Sequence, residues 1–271
     1  GGPSDRVGIM AGDKIVTIDG EDAFGKKVNN DYVAKHLRGE KGTKVTLGIK
    51  RGKSDELIDY EVIRDKIPLN SIEAAFMLDK NVGYIKLDRF AQTSNTEFEE
   101  SLAKLKAQKM KSLILDLRGN TGGYLNIAAE LSNQFLKKDM TIVYTEGDKS
   151  PKQIFNTDKN GKFTDGKLII LIDEGSASAS EIVSGAVQDW DRGILIGRRS
   201  FGKGLVQRPF NLPDGSQVRL TTARYYTPTG RCIQRSYEKG SEDYYNEMTK
   251  RMKHGEFYHS DSIQFPDSLK Y

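Results

Sequence analysis

Three short segments of this 271-residue chain carry residue types that together suit attack on a carbonyl. The first, Gly175-Ser-Ala-Ser-Ala-Ser-Glu181, follows the apolar run at 167–172 and leads into Ile182-Val-Ser-Gly-Ala-Val187. An apolar run that ends in Asp-Glu-Gly and meets small hydroxyl residues reads as a buried strand, a tight turn and a helix start. Helix N-termini carry unpaired N–H groups and a partial positive charge, so a serine there has donors beside it for a developing oxyanion. By itself the segment reads more readily as an N-cap followed by a close helix contact. The second segment, Gly197-Arg-Arg-Ser-Phe-Gly-Lys-Gly204, sets Lys203 among Phe201, Gly202, Gly204, Leu205 and Val206, with no acid in its flanks. A lysine serves as a base only when neutral, and burial lowers a lysine pKa from about 10.4 toward about 7–8. These flanks predict a desolvated amine. The third, Asp116-Leu-Arg-Gly-Asn-Thr-Gly-Gly123, puts two glycines after a strand, where bare backbone N–H groups can approach a ligand. A plain tight turn fits that segment equally well. Joined, the three describe a serine deprotonated by a neutral amine as it attacks, an acyl-enzyme cleaved by water, and backbone donors for the oxyanion.

A rival chemistry uses the same residues. Gly197-x-x-x-x-Gly-Lys203 matches most of a phosphate-binding loop, and 168–174 mimics its acidic strand. Position 204 is glycine, however, so the hydroxyl that would ligate Mg²⁺ is missing. The residues after Lys203 are β-like and broken by Pro209 and Pro213, where phosphate cradling needs a helix. Other reactive types take plainer readings. Asp116 and Arg118 are expected to hold a strand end to its turn. Cys232 lacks a neighbouring histidine or helix start and is expected to be a small packed residue. Trp190 and the tyrosines are expected in the core or a groove wall, and His36 in solvent on its helix. Three histidines (His36, His254, His259) with one cysteine make no zinc pattern, so no metal is expected.

The elements that must position these groups follow from periodicity. Residues 1–66 form one compositional unit: a short helix in 4–12, a strand in 13–20, a glycine-terminated helix at 30–39 and strands at 43–50 and 58–64. The junction falls at Asp65-Lys-Ile-Pro-Leu-Asn70, where proline punctuates the pattern. Residues 67–271 then alternate strand and helix, with strands at 71–78, 82–88 and 111–118. Helices follow at 95–108, with Phe98, Leu102 and Leu105 on one face, and at 124–136. This order predicts an α/β layered core. A strand at 217–226, a turn at 228–230 and a Tyr-rich tail with one helix near 242–253 complete the chain. Lys+Arg 42 against Asp+Glu 38, formally +4, is an ordinary surface that gives no reason to expect nucleic acid. Apolar runs stay short of the ~20 residues that span a bilayer.

Two resemblances cover most of the sequence. Gly2-Pro-Ser-x-x-x-Gly-Ile-x-x-Gly-Asp-x-Ile-x-x-Ile-Asp-Gly20, followed by Leu37-Arg-Gly-x-x-Gly-Thr-x-Val45, resembles the later part of a PDZ domain. Its early strands and carboxylate-binding loop are expected to precede Gly1. From about 71 to 235, Asp-Leu-Arg-x-Asn-x-Gly-Gly, Asp-Glu-Gly-Ser-Ala-Ser-Ala-Ser-Glu and Gly-x-x-Ser-Phe-Gly-Lys-Gly-x-Val-Gln resemble the C-terminal processing, or tail-specific, serine peptidases. The resemblance implies a crotonase- and Clp-protease-like mixed α/β core, with Ser178 as nucleophile, Lys203 as base and Gln207 orienting the lysine. Oxyanion donors are the N–H of Ala179 and, preferred over Gly122, that of Gly123. Ser176 and Ser180 become a turn residue and a core-facing helix residue. Lys203 and Gln207, four apart, would share a face of a regular strand. The resemblance further implies no cofactor, polypeptide substrates cut at C-terminal or unfolded segments, and a bacterial envelope or periplasmic location. The Tyr-rich tail offers a dimer contact. A catalytically silent peptide-binding member of the same fold is the alternative.

Overall fold

Strand alternation builds the smaller of the two units into which the chain divides, Gly1–Leu69 and Asn70–Tyr271. The computed structural model describes residues 2–25, 28–54, 56–67 and 70–258; Gly1, part of the expected junction at Pro68 and Leu69, and the tail's last 13 residues, His259 among them, lie outside the described residues. The first unit contains α1 (Pro3–Arg6), β1 (Lys14–Ile18), β2 (Glu21–Asp22), α2 (Asn30–Leu37), β3 (Lys44–Lys50) and β4 (Leu57–Ile63). Its strands form one antiparallel sheet in the order β2-β1-β3-β4. Val45, Leu47 and Ile49 alternate inward and join Ile18, Ala23 and Val62 in a small core. α2 begins on Asn29, whose side chain accepts the Tyr32 N–H at 2.8 Å. It does not end on glycine as expected. Arg38 turns extended (φ −74°, ψ 153°), and the Arg64 guanidinium donates to the Leu37 and His36 carbonyls, each at 2.9 Å. A cation on the last carbonyls replaces the left-handed cap. His36 is half-buried, stacked 3.9 Å from the Tyr32 ring, rather than solvated.

The second unit is layered from α and β elements. Strands β5 (Ile72–Met77), β6 (Val82–Leu87), β7 (Ser112–Asp116), β10 (Lys167–Ile172) and β11 (Ile194–Gly197) form a sheet ordered β11-β10-β7-β6-β5. All neighbours are parallel except β5 against β6. Helices α3 (Ser94–Ala107), α4 (Leu125–Asn133) and α5 (Ala179–Asp189) supply the crossovers. Ile85 and Leu87, Leu113 and Leu115, and Leu168 and Ile170 point at every second position into a core shared with Phe98, Leu102 and Leu105 of α3. β8 (Thr141–Gly147) and β9 (Ser150–Asn156) form a hairpin for which periodicity raised no expectation. They pair on through β13 (Gln217–Tyr226) to β12 (Leu205–Asn211), in the order β12-β13-β8-β9. Pro209 is tolerated in β12 because that strand is an edge. α6 (Gly240–Lys253) is the tail helix. Trp190 is exposed at the end of α5, its indole N–H donating to the Thr141 carbonyl at 2.7 Å, so it is not a core residue. Cys232 is exposed as well, against the expectation of a packed side chain.

Candidate active site

β10 feeds α5 through the turn that carries the three serines, and the turn sorts them. Ser176 and Ser180 are both 0% exposed. Ser176 Oγ donates to the Leu117 carbonyl at 2.8 Å and accepts the Asp173 N–H at 3.0 Å. Ser180 Oγ donates to the Asn120 carbonyl at 2.9 Å. Both hydroxyls are therefore spent on fastening the turn to the segment after β7. Ser178 alone is half-buried, at the N-cap of α5, with φ 56° and ψ −112°. A non-glycine residue in that region stores roughly 1–3 kcal/mol of strain, which the surrounding bonds must over-determine. They do: Ala177 N–H donates to Asn120 at 3.0 Å, and Ser178 N–H donates to the Glu181 carboxylate at 2.8 Å.

The glycine pair lies directly against this serine. A Cβ built on Gly122 would fall 2.7 Å from the Ala177 carbonyl, 2.8 Å from Ser178 Cβ and 2.9 Å from Ala179 N, and its φ of 99° also requires glycine. Asn120 is buried; its Nδ2 donates to the Leu87 carbonyl at 2.8 Å and its Oδ1 accepts the Gly122 N–H at 2.9 Å. Gly122 is thereby committed. Gly123 pairs with Phe90 through its neighbours: Phe90 N–H donates to Gly122 O and Tyr124 N–H to Phe90 O, each at 3.0 Å. Among the described residues the N–H groups of Gly123 and Ala179 have no hydrogen-bond partner. Of the glycine pair, Gly123 is thus the one with an open N–H. Asp116 and Arg118 hold the strand end: the Asp116 carboxylate takes Arg118 N, Nε and Nη2 and the Tyr84 hydroxyl. Burial pushes this carboxyl up, but those donors outweigh it and leave it below the ordinary value.

The lysine loop between β11 and β12 is fastened by its backbone, through Phe201, Gly202 and Lys203 to the serine turn and the start of α5 and through Gly204 to the segment after β13. Phe201 N–H donates to Ser176 O at 2.9 Å, Gly202 and Lys203 N–H donate to the Glu181 carboxylate at 2.6 and 2.9 Å, and Gly204 N–H donates to Gln234 Oε1 at 3.0 Å. Arg198 forks onto Glu174 at 2.6 and 3.0 Å. The backbone of Lys203 therefore lies beside Ser178. Its side chain does not follow expectation. Lys203 is exposed rather than desolvated, because it stands in the loop ahead of β12 and its apolar neighbours do not cover it. No hydrogen bond joins Ser178 Oγ to Lys203 Nζ, and among the described residues Lys203 forms no ion pair. Gln207 is also exposed. Lys203 precedes β12, which begins at Leu205, so strand alternation does not place it on one face with Gln207; the register shift opposite Val206 and Gln207 puts its extra residue, Thr222, on β13. A strand, not a helix, follows Lys203, which removes the phosphate-loop geometry. Glu181 went unremarked in the sequence except as the end of the serine run. Its position three residues after an N-cap serine is the signal that marks it.

Sequence comparison covers the same ground. The model of peptidase family S41 matches residues 81–241, a range that holds the glycine pair, the serine turn and the lysine loop. The chain is 39% identical over 237 residues to a carboxy-terminal-processing protease of Bartonella bacilliformis, covering 86% of this chain and 54% of that protein. It is 38% identical over 231 residues to a carboxyl-terminal-processing protease of Picosynechococcus sp., covering 84% and 55%. The chain spans about half the length of the curated relatives it matches. Among solved structures, a photosystem II D1 C-terminal processing protease superposes with a TM-score of 0.56 at 30% identity, over 86% of this chain and 63% of that one. An S41 protease structure from Bacteroides fragilis, 18% identical with a TM-score of 0.59 over 84% of this chain and 64% of that one, shares the fold. The family model matches more than half of the chain, and the chain belongs to peptidase family S41.

Proposed function

We propose that this chain is the catalytic portion of a serine endopeptidase that cleaves polypeptides at C-terminal or unfolded segments, with Ser178 as nucleophile and Lys203 as general base. The observation that carries this reading is the turn itself: one strained, accessible serine at a helix start, flanked by two buried serines spent on structure and by the unpaired N–H groups of Ala179 and Gly123. Ser178 Oγ attacks the scissile carbonyl carbon while its proton passes to Lys203 Nζ. The carbonyl oxygen, now negative, faces the two N–H donors. As the tetrahedral intermediate collapses, the C–N bond breaks and the lysine ammonium returns its proton to the leaving amine. Water then attacks the ester, again giving a proton to Lys203, and Ser178 leaves with it. An exposed lysine enters this cycle when bound polypeptide covers it, since removal of water favours the neutral amine. Gln207, on the strand that leaves the lysine loop, orients the amine in this reading. The smaller unit is read as the later part of a PDZ domain, supported by its glycine-rich motif and its antiparallel sheet with the short α1 and the longer α2.

Cleavage of an unfolded reporter protein tests the reading. The chain should cut it, and Ser178→Ala and Lys203→Ala should not; equal cleavage by all three overturns the assignment.

A further inference from the structure

Glu181 is a buried titratable group for which the cycle above has no use. It is 5% exposed, on the first turn of α5, and among the described residues its carboxylate pairs with no cation: the groups bonded to it are four neutral hydrogen-bond donors. Oε2 accepts Ser178 N–H at 2.8 Å and Lys203 N–H at 2.9 Å. Oε1 accepts Gly202 N–H at 2.6 Å and the Ser200 hydroxyl at 2.7 Å. A carboxylate offers about four lone-pair sites, and all four are filled.

Helix capping explains one of these bonds. In a capping box the glutamate three residues into the helix reaches back to the N-cap N–H, which here is Ser178. The other three bonds go to a different loop, the one that carries the lysine. A single oxygen atom is thus bonded to the backbone N–H groups of both the nucleophile and the base. Burying a charge without a counter-ion is costly, and burial does raise the Glu181 carboxyl, with the Lys203, Ser200, Gly202 and Ser178 donors pulling it partly back; the net shift is upward. A structural cap alone does not require that arrangement.

We infer that Glu181 is a positioning residue: its carboxylate locks the backbones of Ser178 and Lys203 into one unit and so fixes the span across which the serine proton must travel. The inference rests on the Ser178/Lys203 reading and extends it. Because both backbones are bonded to the same oxygen, only the lysine side chain is left to swing toward Ser178. Glutamine is not an adequate replacement, since its NH₂ would face either two N–H donors or an N–H and a hydroxyl.

The structure also supplies a route for rescue. Glu181, Ser200, Phe201 and Gly202 form part of the wall of a cavity of ≈ 660 Å³, which Cys232 and Arg235 also line. Truncation of Glu181 to alanine opens the carboxylate site toward this cavity, where formate can enter.

The experiment measures kcat and KM on an unfolded reporter for the chain, Glu181→Ala, Glu181→Gln and Ser178→Ala, with melting temperatures. Glu181→Ala is expected to lose about 100-fold in kcat with KM little changed, as a displaced reacting pair should. Sodium formate should recover a large part of that loss, and sodium chloride at equal ionic strength should not. Glu181→Gln, nearly isosteric, should remain folded and be impaired in kcat as well. A Glu181→Ala or Glu181→Gln variant with kcat within about threefold of the parent overturns the inference. So does a loss that follows the unfolded fraction and ignores formate. Ser178→Ala separates the two failures: if it still cleaves, the Ser178/Lys203 reading falls; if it is dead while Glu181→Ala matches the parent, only the positioning role falls.

Discussion

The serine turn and the lysine loop are built on the same backbone network, yet their two functional side chains are held differently. Around Ser178 everything is fixed in advance: a strained φ, two flanking hydroxyls committed to backbone carbonyls, a buried asparagine behind the glycine pair, and two N–H groups left open. Around Lys203 the backbone is bonded at each residue from Phe201 to Gly204, but the amine stands exposed. In the proposed cycle, preorganisation thus belongs to the oxyanion and nucleophile half, where donors must not reorganise during reaction. The base half needs only a side-chain rotation and the exclusion of water, both of which a bound chain provides.

That contrast is open to perturbation from both sides. The largest effect is expected from Ser178→Ala and from Lys203→Arg: each should lower turnover by ~10³-fold or more, the arginine because it keeps its charge and cannot accept the proton. Steady-state cleavage rates of the folded variants measure this. On the preformed half, Gly122→Ala sets a Cβ 2.8 Å from that of Ser178 at a φ of 99°. A loss of about 100-fold in kcat and about 1–3 kcal/mol in denaturant stability is expected. On the mobile half, Gln207→Ala should cost about tenfold or less in kcat and leave stability within about 0.5 kcal/mol, since the residue is exposed. If Gln207→Ala exceeds Gly122→Ala, the division between rigid and mobile halves is wrong.

The smallest effect concerns pH. Glu181 holds its proton to higher pH in the folded chain than in the unfolded one, so its contribution to stability is greatest below the ordinary carboxylate value. That contribution is lost as pH rises through the raised value. Asp116, lowered in the fold, acts in the opposite direction and gains as pH rises through its range. Melting temperatures across the acid-to-neutral range should therefore fall less steeply, or rise more, for Glu181→Gln than for the parent. Parallel curves would contradict the shift.

Local patterns carried much of the architecture. The stripe Phe98, Leu102 and Leu105 marked α3 and its buried face, and the run at 167–172 marked β10 and the helix start after it. Small residues around Ser178 signalled a turn, and motif resemblance selected one serine of three; the buried hydroxyls of Ser176 and Ser180 agree with that selection. Long-range geometry was not legible. Apolar neighbours at Phe201, Leu205 and Val206 cannot say which way a loop turns its lysine, and a register shift at Val206/Gln207 leaves no trace in composition. Arg64 capping α2 is a contact across 27 residues, and Glu181 reaches Gly202 across 21, so neither follows from local spacing. Cys232, with no histidine or helix start beside it, was expected to be packed, and Trp190 to lie in the core or a groove wall; Cys232 is exposed, and Trp190, also exposed, is not in the core.

The central claim is that one serine of the Gly175–Glu181 turn is the nucleophile, activated where it stands. Reaction with a fluorophosphonate followed by peptide mapping by mass spectrometry tests it without any choice of substrate. The account predicts a single adduct on Ser178, with markedly slower labelling of Lys203→Ala and no adduct on the buried Ser176 and Ser180. An adduct elsewhere, or labelling of Ser178 at equal rates with and without Lys203, would contradict it.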